Sequence, residues 1–142
     1  MKYYQGKYTP RNPQKYIGDP TKIIHRSSWE RKFMVWADSN PSIIKWSSEE
    51  LAIPYFNELD MKWHRYFCDF QILTKDNKRF LVEIKPSAQC LEPKKPKRVT
   101  KRYLQEVVEY SRNLAKWEAA KNYCKKHGWK FLIITENDLN IN

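Results

Sequence analysis

The sequence predicts an α/β fold in which a mixed β-sheet is flanked by helices. Three observations predict it: a capped helical pattern early in the chain, a central stretch that alternates apolar and polar residues, and a long helical pattern that leads into an apolar strand. A strand that follows a crossover helix normally returns parallel to its neighbour, so we expect both parallel and antiparallel pairs. At 142 residues the chain is expected to form one domain, residues 1–142.

The N-terminal segment, about residues 1–22, is predicted to be irregular because three prolines interrupt it. Residues 1–26 contain six basic side chains but only one acidic side chain, Asp19, and four tyrosines lie among them. We interpret this segment as a basic arm that contacts a nucleic acid through charge and stacking. A segment that packs on its own domain is an equally open alternative.

The first helix is predicted to begin near Ser27 or Ser28 and to end at Asn40, before Pro41. Ser27 and Glu30 have the spacing of a capping box, with Ser27 as the N-cap and Glu30 as the third helical residue. Two interpretations of Glu30 stay open. Capping alone explains it, and a role in holding a metal or orienting a water is the alternative.

Two short strands are predicted next, at residues 43–46 and 51–56. Glu49 and Glu50 lie between them and are predicted to be solvated turn acids. A β-hairpin with arms at residues 65–73 and 78–86 then follows. If Thr74 pairs with Lys78 across the turn, four apolar residues meet in two pairs, Phe70 with Val82 and Ile72 with Phe80.

The same register places Asp69 opposite Glu83, with Lys85 on their face of the hairpin. Two adjacent carboxylates repel each other unless a cation lies between them, and hard oxygen ligands suit Mg²⁺ or Mn²⁺. A nearby lysine can orient or deprotonate a metal-activated water. The alternative is an ordinary cross-strand ion pair on a solvated sheet face, since a D…E-x-K pattern alone is short.

The segment between Pro86 and Thr100 is polar and strongly basic. We predict that this segment and the start of the next helix clamp DNA phosphates; a solvated flexible loop is the alternative. The predicted DNA-binding residues are Lys94, Lys95, Lys97, Arg98, Lys101 and Arg102.

A long helix is predicted over residues 99–126, with a possible break at 111–113 and Gly128 just past its end. Its apolar stripe is predicted to pack in the core and comprises Tyr103, Val107, Tyr110, Leu114, Trp117 and Cys124. Residues 129–135 are predicted to form a buried strand.

Composition narrows the function classes. The net charge of +11 favours a polyanionic partner such as double-stranded DNA. No apolar run is long enough for a membrane span, and the first seven residues lack the apolar stretch of a signal peptide. Three unpaired cysteines fit a reducing cytoplasm and, with three dispersed histidines, make no zinc pattern. No glycine-rich nucleotide loop occurs.

The order of the elements resembles the PD-D/E-x-K nuclease core. At finer detail, six blocks look like the head completion nuclease family of T-even-type phages: residues 26–30, 53–56, 65–69, 82–86, 113–120 and 131–136. The second and third blocks are also similar to the TnsA-type transposase endonuclease domain. The resemblance spans Gly6 to Glu136. One departure is Cys68, which stands where the superfamily motif has proline.

The resemblance implies a restriction-endonuclease-like core and a metal-dependent deoxyribonuclease. It implies that Asp69 and Glu83, with the Ile84 carbonyl, hold the metal, that Lys85 acts on the attacking water, and that Glu30 completes the acidic set. The family's biology implies cutting of packaged DNA ends before tail attachment, in the host cytoplasm or virion, beside portal or head–neck proteins.

Two other function classes stay open from the sequence. One is a structural connector that binds the portal and DNA without required catalysis. The other is a plain nucleic-acid-binding module. All three classes predict DNA affinity, so convergence of the four predicted site residues is the observation that separates a nuclease from them.

Overall fold

The computed structural model describes residues 5–139. Two helices dominate it, α1 (Ser28–Ser39) and α2 (Lys101–His127), and two short 3-10 turns lie at Pro13–Lys15 and Ser87–Cys90. The strands are β1 (Gly6–Lys7), β2 (Ile24–His25), β3 (Ile43–Ser48), β4 (Ala52–Asn57), β5 (Lys62–Phe67), β6 (Phe70–Thr74), β7 (Arg79–Ile84) and β8 (Lys130–Ile134). No helix of this described part is long and apolar enough to cross a membrane.

The central sheet has the strand order β3-β6-β7-β8 and confirms the predicted mixed α/β fold. Strands β3, β6 and β7 pair antiparallel, whereas β8 pairs parallel to β7 after the α2 crossover. One core cluster packs α1 against the face that carries Val82 and Ile84. A second cluster packs α2 against the opposite face, which carries Leu81 and Phe131. The sheet is therefore covered on both sides.

The predicted hairpin register is confirmed. Phe70 pairs with Val82 and Ile72 with Phe80, and the Thr74 amide donates to the Lys78 carbonyl at 2.9 Å. Alternation therefore separates the two faces of β7 as expected. Because α2 covers the face with Leu81 and Glu83, that face is buried rather than solvated.

The prediction of one continuous first arm over residues 65–73 is wrong. The chain bends at Cys68 and Asp69, and this stretch divides into β5 and β6. Strand β5 pairs with β4 in a separate two-stranded sheet, here called the β4–β5 ribbon. Tyr55 and Tyr66 belong to the cluster that packs this ribbon against α2, which explains why β5 leaves the line of β6.

Two predictions for the C-terminal half need correction. Helix α2 is continuous through residues 111–113, and its first buried residue is Asn113. Of the predicted core stripe only Trp117 and Cys124 are buried, and Leu114, although it follows Asn113, is exposed. The helix is about 40 Å long, more than twice the length of the strands it covers. Strand β8 lies at the edge of the sheet, so it is half-buried instead of fully buried. The left-handed Gly128 ends α2 as predicted.

The N-terminal segment follows the packed alternative wherever it is described. Tyr8 and Tyr16 are buried in the α1 core cluster. The Asp38 carboxylate accepts from the Tyr8 hydroxyl at 2.7 Å and from the Arg11 amide at 2.8 Å. The Lys15 ammonium donates to three carbonyls at the end of α1. Lys2, Tyr3 and Tyr4 of the predicted arm lie outside the described residues.

Candidate active site

Asp69 and Glu83 are electrostatic neighbours where β6 begins and β7 ends, and are here called the carboxyl pair. The Ile84 amide also donates to Oδ2 of Asp69 at 2.8 Å. Burial, followed by the charge of Glu83, raises the pKa of Asp69 well above its ordinary value. Two neighbouring carboxyls disfavour each other's ionised form, so in the absence of a cation Asp69 binds a proton more readily than an ordinary aspartate.

Glu83 is only 6% exposed and is held by two donors from other elements. The Tyr66 hydroxyl of β5 donates to Oε2 through a short hydrogen bond, and the Trp117 indole Nε1 of α2 donates to the same oxygen at 3.4 Å. This burial excludes the alternative of an ion pair on a solvated sheet face. The helical pattern of the sequence placed Trp117 in the core but did not indicate its polar contact, because periodicity reports a face and not a hydrogen-bond partner.

Glu30 is the third residue of the capped helix α1 and lies near the carboxyl pair. Its amide donates to the Ser27 hydroxyl at 3.1 Å, which confirms the N-cap, and its carboxylate accepts from the Arg26 amide at 3.3 Å. Burial is the main cause that raises the pKa of Glu30. The charge of Glu30 in turn contributes to the raised pKa of Asp69, so the two carboxylates are electrostatic neighbours.

Glu49 is a neighbour of Asp69 and not the solvated turn acid that we predicted. Its amide donates to the Asp69 carbonyl at 3.0 Å. Its carboxylate makes two 3.1 Å contacts with the Arg26 guanidinium. The pairing of β3 with β6 brings it there, since Ser48 lies opposite Phe70. This long-range pairing had no local signal in the sequence.

Two lysines border the acid pair. Lys85 directly follows β7, is half-buried, and its amide donates to the Ile134 carbonyl at 2.9 Å. Lys116 of α2 places its ammonium 5.7 Å from the centre of the Tyr66 ring. Burial lowers the pKa of Lys116, Glu83 raises it and Lys85 lowers it, so Lys116 lies within electrostatic reach of both. Lys116 was not predicted, because in the sequence it looks like a solvated helix residue.

A family model described as the TnsA-like endonuclease N-terminal domain matches residues 40–136, which include the acid pair, Lys85 and Lys116. The chain belongs to the TnsA-like endonuclease family. It is also 44% identical over 140 residues to the head completion nuclease of Enterobacteria phage T4, covering 96% of this chain and 93% of that protein. These comparisons confirm the resemblance and the restriction-endonuclease-like fold.

The donor set of this TnsA-like site fits a divalent cation in part. A divalent cation would stabilise this carboxyl pair, because its charge offsets the repulsion between the two carboxylates. Within residues 5–139, however, no three His, Cys, Asp or Glu side chains are close enough together to hold a metal ion. Glu30 is therefore not a third ligand in this arrangement.

The predicted DNA-binding residues all lie on the surface. Lys94, Lys95, Lys97 and Arg98 are exposed in an irregular segment that follows the site. Lys101 is the first residue of α2, and Arg102 beside it pairs with Glu106 at 3.2 Å. In this member of the TnsA-like family the charged side chains of the basic segment are therefore exposed to solvent. Their contact with DNA remains a prediction.

Proposed function

We propose that this chain is a metal-dependent DNA endonuclease that hydrolyses phosphodiester bonds and acts in phage head completion, on packaged DNA ends before tail attachment. The observation that carries the proposal is the carboxyl pair of Asp69 and the buried Glu83, with Lys85 two residues after Glu83 and within electrostatic reach of the same lysine, Lys116. The name of the 44% identical T4 relative and the TnsA-like family support a nuclease acting at this stage.

Asp69, Glu83 and the Ile84 carbonyl would hold Mg²⁺ or Mn²⁺, which when bound supplies an acidified water and a polarised phosphate. Tyr66 and Trp117 fix the Glu83 carboxylate, so that its free oxygen keeps one direction. Lys85 would hold the attacking water in line with the phosphate, and only its neutral amine form would accept the proton that the water loses. Glu30 adds negative charge from the start of α1 and completes the acidic set.

DNA binding in this proposal rests on charge. The net charge of +11 provides general affinity for phosphates, and the exposed basic segment directly follows the site. In this role the protein would act in the host cytoplasm or within the assembling particle and would meet portal or head–neck proteins there.

Cleavage of linear double-stranded DNA tests the proposal. We expect activity with Mg²⁺ or Mn²⁺, none in EDTA, and none from Asp69→Ala in either metal. Asp76→Ala, which changes an exposed acid in the β6–β7 turn, is the matched control and should cleave like the wild type. Full activity of Asp69→Ala, or activity that survives EDTA, would contradict the metal-dependent mechanism.

A further inference from the structure

The β4–β5 ribbon has one covered and one uncovered face. Ile53, Tyr55 and Tyr66 point inward and are buried in the cluster beneath α2. Because strand side chains alternate, the neighbouring residues point outward. These outer-face residues are Ala52, Pro54, Phe56, Trp63, Arg65 and Phe67. The burial pattern agrees, since all of them are exposed except Phe56, which is half-buried.

Large aromatic rings dominate the outer face. Trp63 is 70% exposed and Phe67 is 44% exposed, which is unusual for side chains of this size. Their orientations are supported by neighbours on the same face. Phe56 meets Trp63 edge-to-face with ring centres 5.5 Å apart, and the Arg65 guanidinium lies 5.7 Å from the centre of the Phe67 ring.

The chemistry of this face matches nucleic-acid bases. It combines rings with one arginine and carries no acid among its six residues, within a chain of net charge +11. Every base has a π-face, so aromatic side chains stack on bases without regard to sequence. In an intact duplex those faces are occupied by neighbouring base pairs. Only unpaired bases therefore have a free face to offer.

The face also leads to the acid pair. Strand β5 ends at Phe67, two residues before Asp69, so at most about 7 Å of chain separates their Cα atoms. Trp63 lies six residues before Asp69, at most about 20 Å away by the same measure. The two exposed rings thus lie along one strand that ends beside the site.

We propose that the outer face of the β4–β5 ribbon binds unpaired nucleotides of DNA by stacking, so that frayed or single-stranded ends are the preferred substrate region. The stacking of bases on this face does not depend on catalysis. That the bound DNA is also the substrate rests on the proposed nuclease function. A duplex whose end is unpaired would be gripped by charge along its paired part and by Trp63 and Phe67 along its single strand.

Fluorescence anisotropy in EDTA, which prevents metal-dependent cleavage, tests the proposal with labelled single-stranded, overhang and blunt duplex DNA. We expect Trp63→Ala to weaken single-strand and overhang binding by about 5- to 150-fold, the equivalent of ~1–3 kcal/mol for one base–aromatic stack. The affinity for blunt duplex DNA should stay within about twofold of the wild-type value, because that binding depends on contacts between basic side chains and phosphates. Trp63→Tyr should restore most of the affinity.

Trp36→Ala is the matched control, because Trp36 is 45% exposed on α1, away from the ribbon. It should change binding of none of the three DNA forms. Equal weakening on blunt and single-stranded DNA after Trp63→Ala, or no weakening on either, would overturn the proposal. Unchanged DNA binding with failed attachment to phage heads would overturn it in favour of a protein-docking face.

A second measurement uses the unaltered chain and avoids any effect of substitution on folding. Ultraviolet cross-linking of single-stranded DNA that carries bromodeoxyuridine should label peptides of residues 62–67. Labelling elsewhere, with none on β5, contradicts the proposal. If the wild type cleaves no DNA with any metal while the Trp63 dependence holds, the nuclease proposal fails and the stacking site stands.

Discussion

The Glu83 carboxylate is positioned by residues from two elements other than its own. Tyr66 and Trp117 both donate to Oε2 of a side chain with 6% exposure, which leaves its other oxygen to face Asp69 or a cation. Donors that orient a metal ligand typically affect metal affinity or activity by about 10- to 100-fold. Tyr66 is therefore a positioning residue of the proposed site.

Tyr66→Phe should raise the Mg²⁺ concentration needed for half-maximal cleavage by about 10- to 100-fold, because Glu83 loses the hydroxyl donor that orients its Oε2. The readout is cleavage rate against Mg²⁺ concentration. Tyr103→Phe, on the part of α2 that precedes its first buried residue, is the matched control and should leave this curve unchanged. An identical Mg²⁺ dependence in Tyr66→Phe would show that the hydroxyl does not position the ligand.

The raised pKa of Asp69 predicts how stability of the metal-free protein depends on pH. The folded state keeps the Asp69 proton at pH values where the unfolded chain, with a pKa near 3.9, has released it. Folding then binds a proton, so this group costs stability as pH rises from about 4 to the folded-state pKa. Above that value the cost is constant.

Asp69→Asn removes this cost, so in EDTA the variant should gain in melting temperature relative to wild type as pH rises from about 4 towards neutrality. Thermal unfolding of both proteins across that range is the measurement. Glu118→Gln, which changes an exposed acid on α2, serves as the control. A wild-type advantage that grows with pH would mean that folding stabilises Asp69 as a carboxylate, contrary to its raised pKa.

Lys85 should contribute to chemistry more than to DNA binding, because it is one of 27 basic residues. Lys85→Ala should lower the cleavage rate by about 10²–10⁴-fold and barely change DNA affinity. Single-turnover rates and anisotropy separate the two effects, with Lys125→Ala on the far end of α2 as the control. Equal reductions of rate and affinity would make Lys85 a residue that binds phosphate without acting on the water.

At the scale of elements, the alternation of apolar and polar residues predicted the pairing of β6 with β7 correctly. It did not predict that β5 pairs with β4 in a separate ribbon. The apolar pairs of the hairpin and its turn length agree on one register, so Asp69, Glu83 and Lys85 could be placed together from the sequence. The departure of β5 depends on Tyr66 packing under α2, a contact between distant segments. For the same reason Glu49 and Lys116, which other elements bring to the site, gave no local pattern.

The basic segment before α2 can be tested for contact with DNA phosphates by removing its charges. Neutralising Lys94, Lys95, Lys97 and Arg98 should weaken duplex binding and flatten its salt dependence. The slope of log K against log salt should fall in magnitude by about 0.9 for each DNA phosphate that the variant no longer neutralises. Cleavage at saturating DNA should survive. Both quantities come from anisotropy and cleavage assays over a range of salt concentrations.

The matched control neutralises four other exposed lysines, three of them at or just past the end of α2 and one in the β6–β7 turn: Lys125, Lys126, Lys130 and Lys75. It removes the same formal charge from a different surface. If both quadruple variants change the salt slope equally, the effect is general charge and not a phosphate clamp. An unchanged slope in the first variant, with failed particle assembly, would instead identify a protein-docking segment.

At the scale of the whole molecule, the net charge and the order of the elements could be predicted from the sequence. How deeply α2 and β8 are buried could not. The α/β order of helix, hairpin, long helix and parallel strand follows from periodicity and the crossover rule. Periodicity alone could not tell that α2 extends beyond the core before Asn113, or that β8 ends the sheet. Those features depend on element lengths and neighbours, which a one-dimensional pattern does not encode.

Direct binding of Mn²⁺ tests the central claim, that the buried carboxyl pair is a cation site. Electron paramagnetic resonance measures how the signal of free Mn²⁺ decreases as protein is added, without DNA or catalysis. We predict that the wild type binds Mn²⁺, that Asp69→Asn weakens binding by at least about tenfold, and that Glu118→Gln leaves it unchanged. Equal Mn²⁺ affinity in the wild type and Asp69→Asn would contradict a cation site at this pair.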